Sequence, residues 1–147
     1  MIVYLGADHR GYELKEKIKE YLLSVGRSVA DLGNDKYDQA DDYPDFAKKV
    51  AEKISVSSED RGILFCGSGV GMAVTANKFR DVRAGTVFSA KHVEMARADE
   101  DLNVIGVSAD LVNYEDAKDI IDAFLNTTFS AEERHRRRVG KIKDLER

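Results

Sequence analysis

The sequence is short of proline, has no tryptophan and carries one cysteine, Cys66, in 147 residues. A single proline, Pro44, leaves no room for Pro-rich linkers. A lone cysteine excludes an internal disulfide and a four-thiolate metal site, and it fits a reducing compartment, so a cytoplasmic location is expected. No apolar run approaches the roughly 18 residues that a membrane span needs. The opening Met1-Ile2-Val3-Tyr4-Leu5 lacks both the basic flank and the long apolar stretch of a signal peptide. A formal net charge of −4 argues against a surface built to grip nucleic acid. Neither a membrane nor a nucleic acid is therefore expected as a partner. What is present, 43% hydrophobic and 34% charged residues, suffices for a buried core under a soluble surface. The length suits one domain over 1–147.

Apolar patterning predicts an alternation of strands and helices. Ile2 to Leu5 reads as a buried strand ending at Gly6. Leu14, Ile18, Tyr21, Leu22 and Val25 form one helical face stopped by Gly26. Ser28 to Leu32 reads as a second strand, followed by an Asp-rich stretch to Tyr43 that lacks a calcium-loop pattern and reads as a solvated loop. Pro44 opens a helix whose face is Ala47, Val50, Ala51 and Ile54. Gly62 to Phe65 is a continuous apolar run, expected to be buried on both faces. A glycine-rich turn and a helix through Asn77 come next. Val82 to Val87 and Val104 to Val107 read as the last two strands, separated by a helix from Ser89 to about Asp99. Asn113 is expected to cap a helix containing Ala117, Ile120, Ile121 and Phe124. Ser130 and Glu133 have the spacing of a capping box for a final helix with a stripe of Val139, Ile142 and Leu145. Together these predict an α/β fold, Rossmann-like and doubly wound, with a five-stranded parallel sheet covered on both faces and a C-terminal helix. Ligands of such sheets sit outside the carboxyl ends of the strands, near a switch in strand order.

The turns after the strands therefore carry the chemistry. Cys66-Gly67-Ser68-Gly69-Val70-Gly71 follows a strand and precedes a helix. Its glycines let the backbone turn tightly and aim N–H groups at one point, and the helix adds the positive end of its dipole. Such a turn suits a phosphate, or an oxyanion formed during reaction. No Lys-Ser/Thr pair follows, so it is not a Walker A loop. The G-x-G-x-G spacing, with no acid after Thr86-Val87, separates it from a dinucleotide fingerprint. The plain alternative is a tight strand–helix connection. Cysteines at strand ends often serve as small buried hydrophobes, but thiols at helix N-termini ionise more readily. A thiolate beside an oxyanion-binding turn suits removal of a proton next to a carbonyl, with Ser68 near enough in sequence to donate to it. After the first strand, Asp8 is placed either to cap a helix or to accept from substrate hydroxyls, and His9 to be solvated or to support an anion. Asp42-Tyr43-Pro44-Asp45 reads alone as helix initiation. Arg134 and Arg138, four residues apart in a basic run, share a helix face and suit either a solvated surface or a clamp on one phosphate.

Taken in order, Gly6-Ala7-Asp8-His9-Arg10-Gly11, Asp42-Tyr43-Pro44-Asp45, Cys66 to Gly71, Ala76-Asn77-Lys78, Val82-Arg83-Ala84 and Arg134-His135 resemble the family of type B ribose-5-phosphate isomerases and galactose-6-phosphate isomerases. The resemblance spans nearly the whole chain. It implies an aldose–ketose isomerase of a sugar phosphate in the pentose phosphate pathway or related carbohydrate metabolism. It further implies a homodimer or homotetramer with active sites shared between subunits, no metal and no organic cofactor. By position, Cys66 would be the base that moves a proton between C1 and C2 through an enediolate, with Ser68 assisting. The amides of Gly67, Gly69, Val70 and Gly71 would hold the enediolate oxygen. Asp8, Tyr43 and Asn77 would contact the sugar, while His9, Arg134 and Arg138 would bind phosphate, the arginines reaching in from a neighbouring subunit.

Three positions depart from the pattern. Asp99 and Glu100 stand where the ribose-phosphate enzymes carry a ring-opening His and an Asn, and Asp110 stands where they carry a phosphate-binding Arg. A carboxylate facing a phosphate costs energy. Asp99 would serve as an acid if burial raised its pKa. The departures imply a shifted sugar specificity. The alternatives are a non-catalytic or half-site subunit of a hetero-oligomer, or a flavodoxin-like nucleotide-binding module.

Overall fold

The structure, a computed structural model, describes residues 1–146. Five strands, β1 (Ile2–Ala7), β2 (Ser28–Asp31), β3 (Arg61–Cys66), β4 (Ala84–Thr86) and β5 (Val104–Ser108), form one parallel sheet in the order β2-β1-β3-β5-β4. The helices are α1 (Tyr12–Ser24), α2 (Tyr43–Ile54), α3 (Val70–Ala76), α4 (Ala90–Glu100), α5 (Tyr114–Asn126) and α6 (Glu133–Lys143). Alternate residues of β3 show why both faces must be covered. Ile63 and Phe65 join a core with Leu14 and Ile18 of α1, Val93 of α4 and Ile120 and Phe124 of α5. Leu64 and Cys66 join another with Val50 and Ile54 of α2 and Met72 and Ala76 of α3. Each large apolar side chain buried here, such as Phe65 or Phe124, contributes about 1.5–3 kcal/mol relative to exposure. No helix among the described residues is long and apolar enough to cross a membrane.

Two expectations are corrected. The fourth strand is only Ala84–Thr86, not Val82–Val87. Val82 is apolar because it packs into the α2/α3 core from a turn whose N–H bonds to the Phe79 carbonyl. The capping box at α6 does not form: Glu132 is the N-cap and makes no side-chain cap. The Ser130 hydroxyl instead pairs with His135 Nδ1 at 2.5 Å, because His135 is the one residue of α6 that is buried. The expected stripe of α6 is largely open, with Leu145 79% exposed, and Ile142 and Leu145 border a cavity of about 660 Å³ that also touches Phe79 and Leu102.

The strand order places the switch between β1 and β3, since the chain leaves β1 toward β2 on one side and resumes at β3 on the other. The β1–α1 and β3–α3 turns therefore meet over the crevice between their carboxyl ends. The loop after β2 is drawn toward the same place by a buried cation. Lys15 of α1 is fully covered, and its Nζ donates to both carboxylate oxygens of Asp31 at 2.8 and 2.7 Å and to the Asn34 carbonyl at 2.7 Å. A buried ammonium is tolerated only with such partners. Partial burial pushes the Asp31 carboxyl up, but Lys15, Lys19 and the Gly33 N–H outweigh it and hold the group below its ordinary value. A carboxyl depressed by folding adds stability above its unfolded pKa and loses it as pH falls through the folded one. We predict that Asp31→Asn lowers the urea midpoint by a constant amount above about pH 5 and that the gap to wild type closes below about pH 4. Urea unfolding across pH 3–7 reads this directly; a gap independent of pH contradicts it.

Candidate active site

The turn from Cys66 to Gly71 is tied down by the end of β5. Ala109 N–H donates to the Cys66 carbonyl at 2.9 Å, and Ser108 Oγ and Asp110 N–H donate to the Gly67 carbonyl at 2.6 and 3.2 Å. Thr86 Oγ1 donates to the Gly69 carbonyl at 3.0 Å. With three carbonyls turned into the sheet, the N–H groups of the same peptides, those of Gly67, Ser68 and Val70, face the other way. Gly69 lies in the left-handed region at φ 76°, where only glycine rests without strain, and a Cβ there would meet Ser108 N at 3.0 Å. This conformation swings the Gly69 N–H onto Cys66 Sγ at 3.1 Å. Val70 N–H is taken by Ser68 Oγ at 3.2 Å. The N–H groups of Gly67, Ser68 and Gly71 have no acceptor among the described residues. The arrangement provides a sulfur with a main-chain donor, beside open amides at the start of a helix.

Cys66 is 4% exposed, because its side chain also belongs to the α2/α3 core. The half-exposed ring of Tyr43, from the start of α2, rests on Gly71, where a Cβ would meet the ring at 2.6 Å. Tyr43 thus stands over the open amides with its hydroxyl free among the described residues. Asp8 is buried and plays the capping role: its Oδ1 accepts from Arg10 N–H and Gly11 N–H, both at 3.0 Å, and its Oδ2 has no partner among the described residues. His9 is fixed by Asp41, whose Oδ1 lies 2.9 Å from the His9 backbone nitrogen and 2.7 Å from Nδ1. That leaves Nε2 as the open end of the ring. Asp41 also accepts from Asn34 Nδ2 at 2.8 Å, linking His9 to the loop that Lys15 anchors. The ligand atoms of Asp8, His9 and Asp41 lie within 4.8 Å of one another, as a metal site would require. Hydrogen bonds account for the closeness of His9 and Asp41, and Asp8 Oδ1 is taken by its own turn, so we assign no metal there.

Asp41, Arg10 and Asp110 are the residues sequence reasoning missed or misjudged. Asp41 is not part of a solvated loop; its side chain is 8% exposed. Asp110 pairs with Arg10, whose guanidinium lies against Gly67 so closely that no side chain fits there. The remaining expected residues lie elsewhere in this chain. Asn77 ends α3, at the opposite edge of the sheet, and exchanges two 2.8 Å hydrogen bonds with the backbone of Ala84. Asp99 lies in the last turn of α4 near that same edge, 46% exposed rather than buried as an acid role assumed, and 3.5 Å from His135 Nε2. Arg134 and Arg138 are exposed on α6, which packs against α4; Arg134 Nε pairs with Glu132 at 3.0 Å. The chain thus brings Cys66, Ser68, Gly67, Gly69, Val70, Gly71, Asp8, His9 and Tyr43 together, and keeps Asn77, Asp99, Arg134 and Arg138 apart from them.

A profile of the ribose/galactose isomerase family matches residues 3–142. The chain is 41% identical over 141 residues to a probable ribose-5-phosphate isomerase B of Mycoplasma genitalium, covering 95% of this chain and 92% of that one. It is 37% identical over 147 residues to ribose-5-phosphate isomerase B of Mycobacterium tuberculosis, covering 100% of this chain and 91% of that one. A crystal structure of the Mycoplasma genitalium enzyme with bound ribulose 5-phosphate superposes with a TM-score of 0.94 at 40% identity, over 97% of this chain and 94% of that chain.

The left-handed conformation at Gly69 yields a direct test. We predict that Gly69→Ala destabilises the fold by about 1–2 kcal/mol, the cost of placing an L side chain in that region. Urea denaturation measures it, and an unchanged midpoint contradicts the account of the turn.

Proposed function

This chain belongs to the ribose/galactose isomerase family, and from that membership we propose that it interconverts the aldose and ketose forms of a sugar phosphate by proton transfer at Cys66. The substrate pair is ribose 5-phosphate and ribulose 5-phosphate or a close pentose or hexose analogue. The observation that carries the reading is the Gly69 N–H on Cys66 Sγ at the head of α3, with the carbonyls of Cys66, Gly67 and Gly69 bound on the sheet side.

In the open-chain aldose, the Cys66 thiolate takes the proton from C2. The C2–H electron pair forms the C1–C2 double bond, and the carbonyl pair moves to O1. The open N–H groups of Gly67, Ser68 and Gly71 receive the charge on that oxygen, so the barrier falls where charge develops. The thiol then returns the proton to C1, O2 becomes the carbonyl and its hydroxyl proton passes to O1. Ser68, whose Oγ accepts from Val70 N–H, keeps its own hydrogen free to support the sulfur. Asp8 Oδ2 and the Tyr43 hydroxyl are the polar groups next to the turn suited to sugar hydroxyls, and His9 Nε2 is suited to the phosphate. Because Cys66 is nearly covered, substrate reaches it past the Tyr43 ring.

Asp99, Arg134 and Arg138 act in this reading only across a contact between copies, as a homodimer or homotetramer with shared sites provides. The alternative of a non-catalytic or half-site subunit drew on Asp99, Glu100 and Asp110. Asp110 is neutralised by Arg10, and the relatives are named as isomerases.

We predict that Cys66→Ala lowers exchange of the substrate C–H proton with solvent by about 10²- to 10⁴-fold, the range expected for loss of a positioned base. Proton NMR in heavy water with a panel of pentose and hexose phosphates reads it. A mutant that matches wild type removes Cys66 as the base, and a wild type that exchanges no sugar on the panel removes the isomerase reading.

A further inference from the structure

We propose that Arg10, held by Asp110, is a phosphate-binding residue that sets the specificity of this site for phosphorylated sugars; this rests on the isomerase reading. Arg10 sits in the β1–α1 turn immediately after His9, and its backbone N–H is anchored on Asp8 Oδ1 at 3.0 Å. Its guanidinium is about half exposed yet packs back on the chain. It lies flat against Gly67, the first residue of the anion-binding turn, where a side chain would collide with Cζ, Nε and Nη2. On its far side Nη2 pairs with the Asp110 carboxylate. Asp110 is placed from the same turn, its N–H donating to the Gly67 carbonyl at 3.2 Å. Gly67 thus holds both ends of the pair, one through the contact with its Cα and the other through its carbonyl.

Only Nη2 is engaged. Nε and Nη1 have no acceptor among the described residues and Nη2 keeps a second hydrogen, so one edge of the fork remains for another acceptor. A guanidinium oriented by a carboxylate on one edge and open on another is suited to two oxygens of one phosphate. The pair is about half exposed, 55% for Arg10 and 47% for Asp110, so the ion pair itself adds little stability and is no reason for its placement. The arginines of α6 lie at the other edge of the sheet. Arg10 is the guanidinium that this chain sets against its own turn. It also resolves the electrostatic cost of Asp110: the carboxylate does not face the phosphate but the cation that binds it.

The test reads phosphate affinity apart from chemistry. With wild type and Arg10→Ala, the affinity for inorganic phosphate is measured by calorimetry, and KM and kcat for ribose 5-phosphate and for unphosphorylated ribose by turnover. Loss of a charge-assisted contact is expected to weaken phosphate binding and raise KM for the sugar phosphate by about tenfold or more. The value of kcat should stay within about twofold, and KM for ribose should not move. Arg10→Lys, which keeps the charge without the planar fork, should recover only part of the loss. Unchanged phosphate affinity in Arg10→Ala overturns the inference, as does a fall in kcat at constant KM. Calorimetry needs no turnover, so the inference is tested even if the isomerase reading fails.

Discussion

The carbonyl oxygens of Cys66, Gly67 and Gly69 point into the end of the sheet, where Ala109, Ser108, Asp110 and Thr86 donate to them, and the rest of the site follows from that orientation. A peptide whose carbonyl is held on one side presents its N–H on the other. The same pinning fixes the left-handed conformation of Gly69 and, through it, the donor on the Cys66 sulfur. The contacts come from β5 and β4, strands distant in sequence from the turn they hold. The parallel sheet therefore does more than bury two cores: its carboxyl edge orients the donors that a developing oxyanion needs.

Behind the crevice, a buried cation shapes the opposite wall. Lys15 holds Asp31 and the Asn34 carbonyl, Asn34 holds Asp41, and Asp41 holds both nitrogens of His9 that it can reach. The chain of hydrogen bonds runs from the interior face of α1 to the rim of the site. A fully covered lysine costs desolvation, and its satisfied partners offset that cost only if the loop after β2 stays in place. The orientation of a surface histidine is in this way tied to a group in the core.

The parts of this architecture that were legible in the sequence are those encoded locally. Glycine spacing between a strand and a helix marked the Cys66 turn, and apolar periodicity located every strand and helix to within a few residues. Val82 misled because its apolar character serves helix packing from a turn. Ser130 and Glu133 misled because His135 captured the hydroxyl their spacing reserved for a cap. Asp41 was hidden among several acids of one loop, and its partner His9 is 32 residues away. Arg10 and Asp110 are separated by 100 residues, so neither signals the other until the sheet brings β1 and β5 to either side of β3. The placement of α6 depends on packing against α4, which no local pattern encodes.

The account stands on the Cys66 sulfur reaching the reacting carbon of a sugar phosphate. The most direct measurement is labelling with a sugar-phosphate analogue that carries a bromomethyl ketone at the C1–C2 end, where a thiolate displaces bromide and forms a thioether. Mass spectrometry of the digested protein locates the adduct. The account predicts a single adduct, on Cys66, suppressed when inorganic phosphate fills the other end of the site. An adduct on any other residue, or none at all, contradicts it.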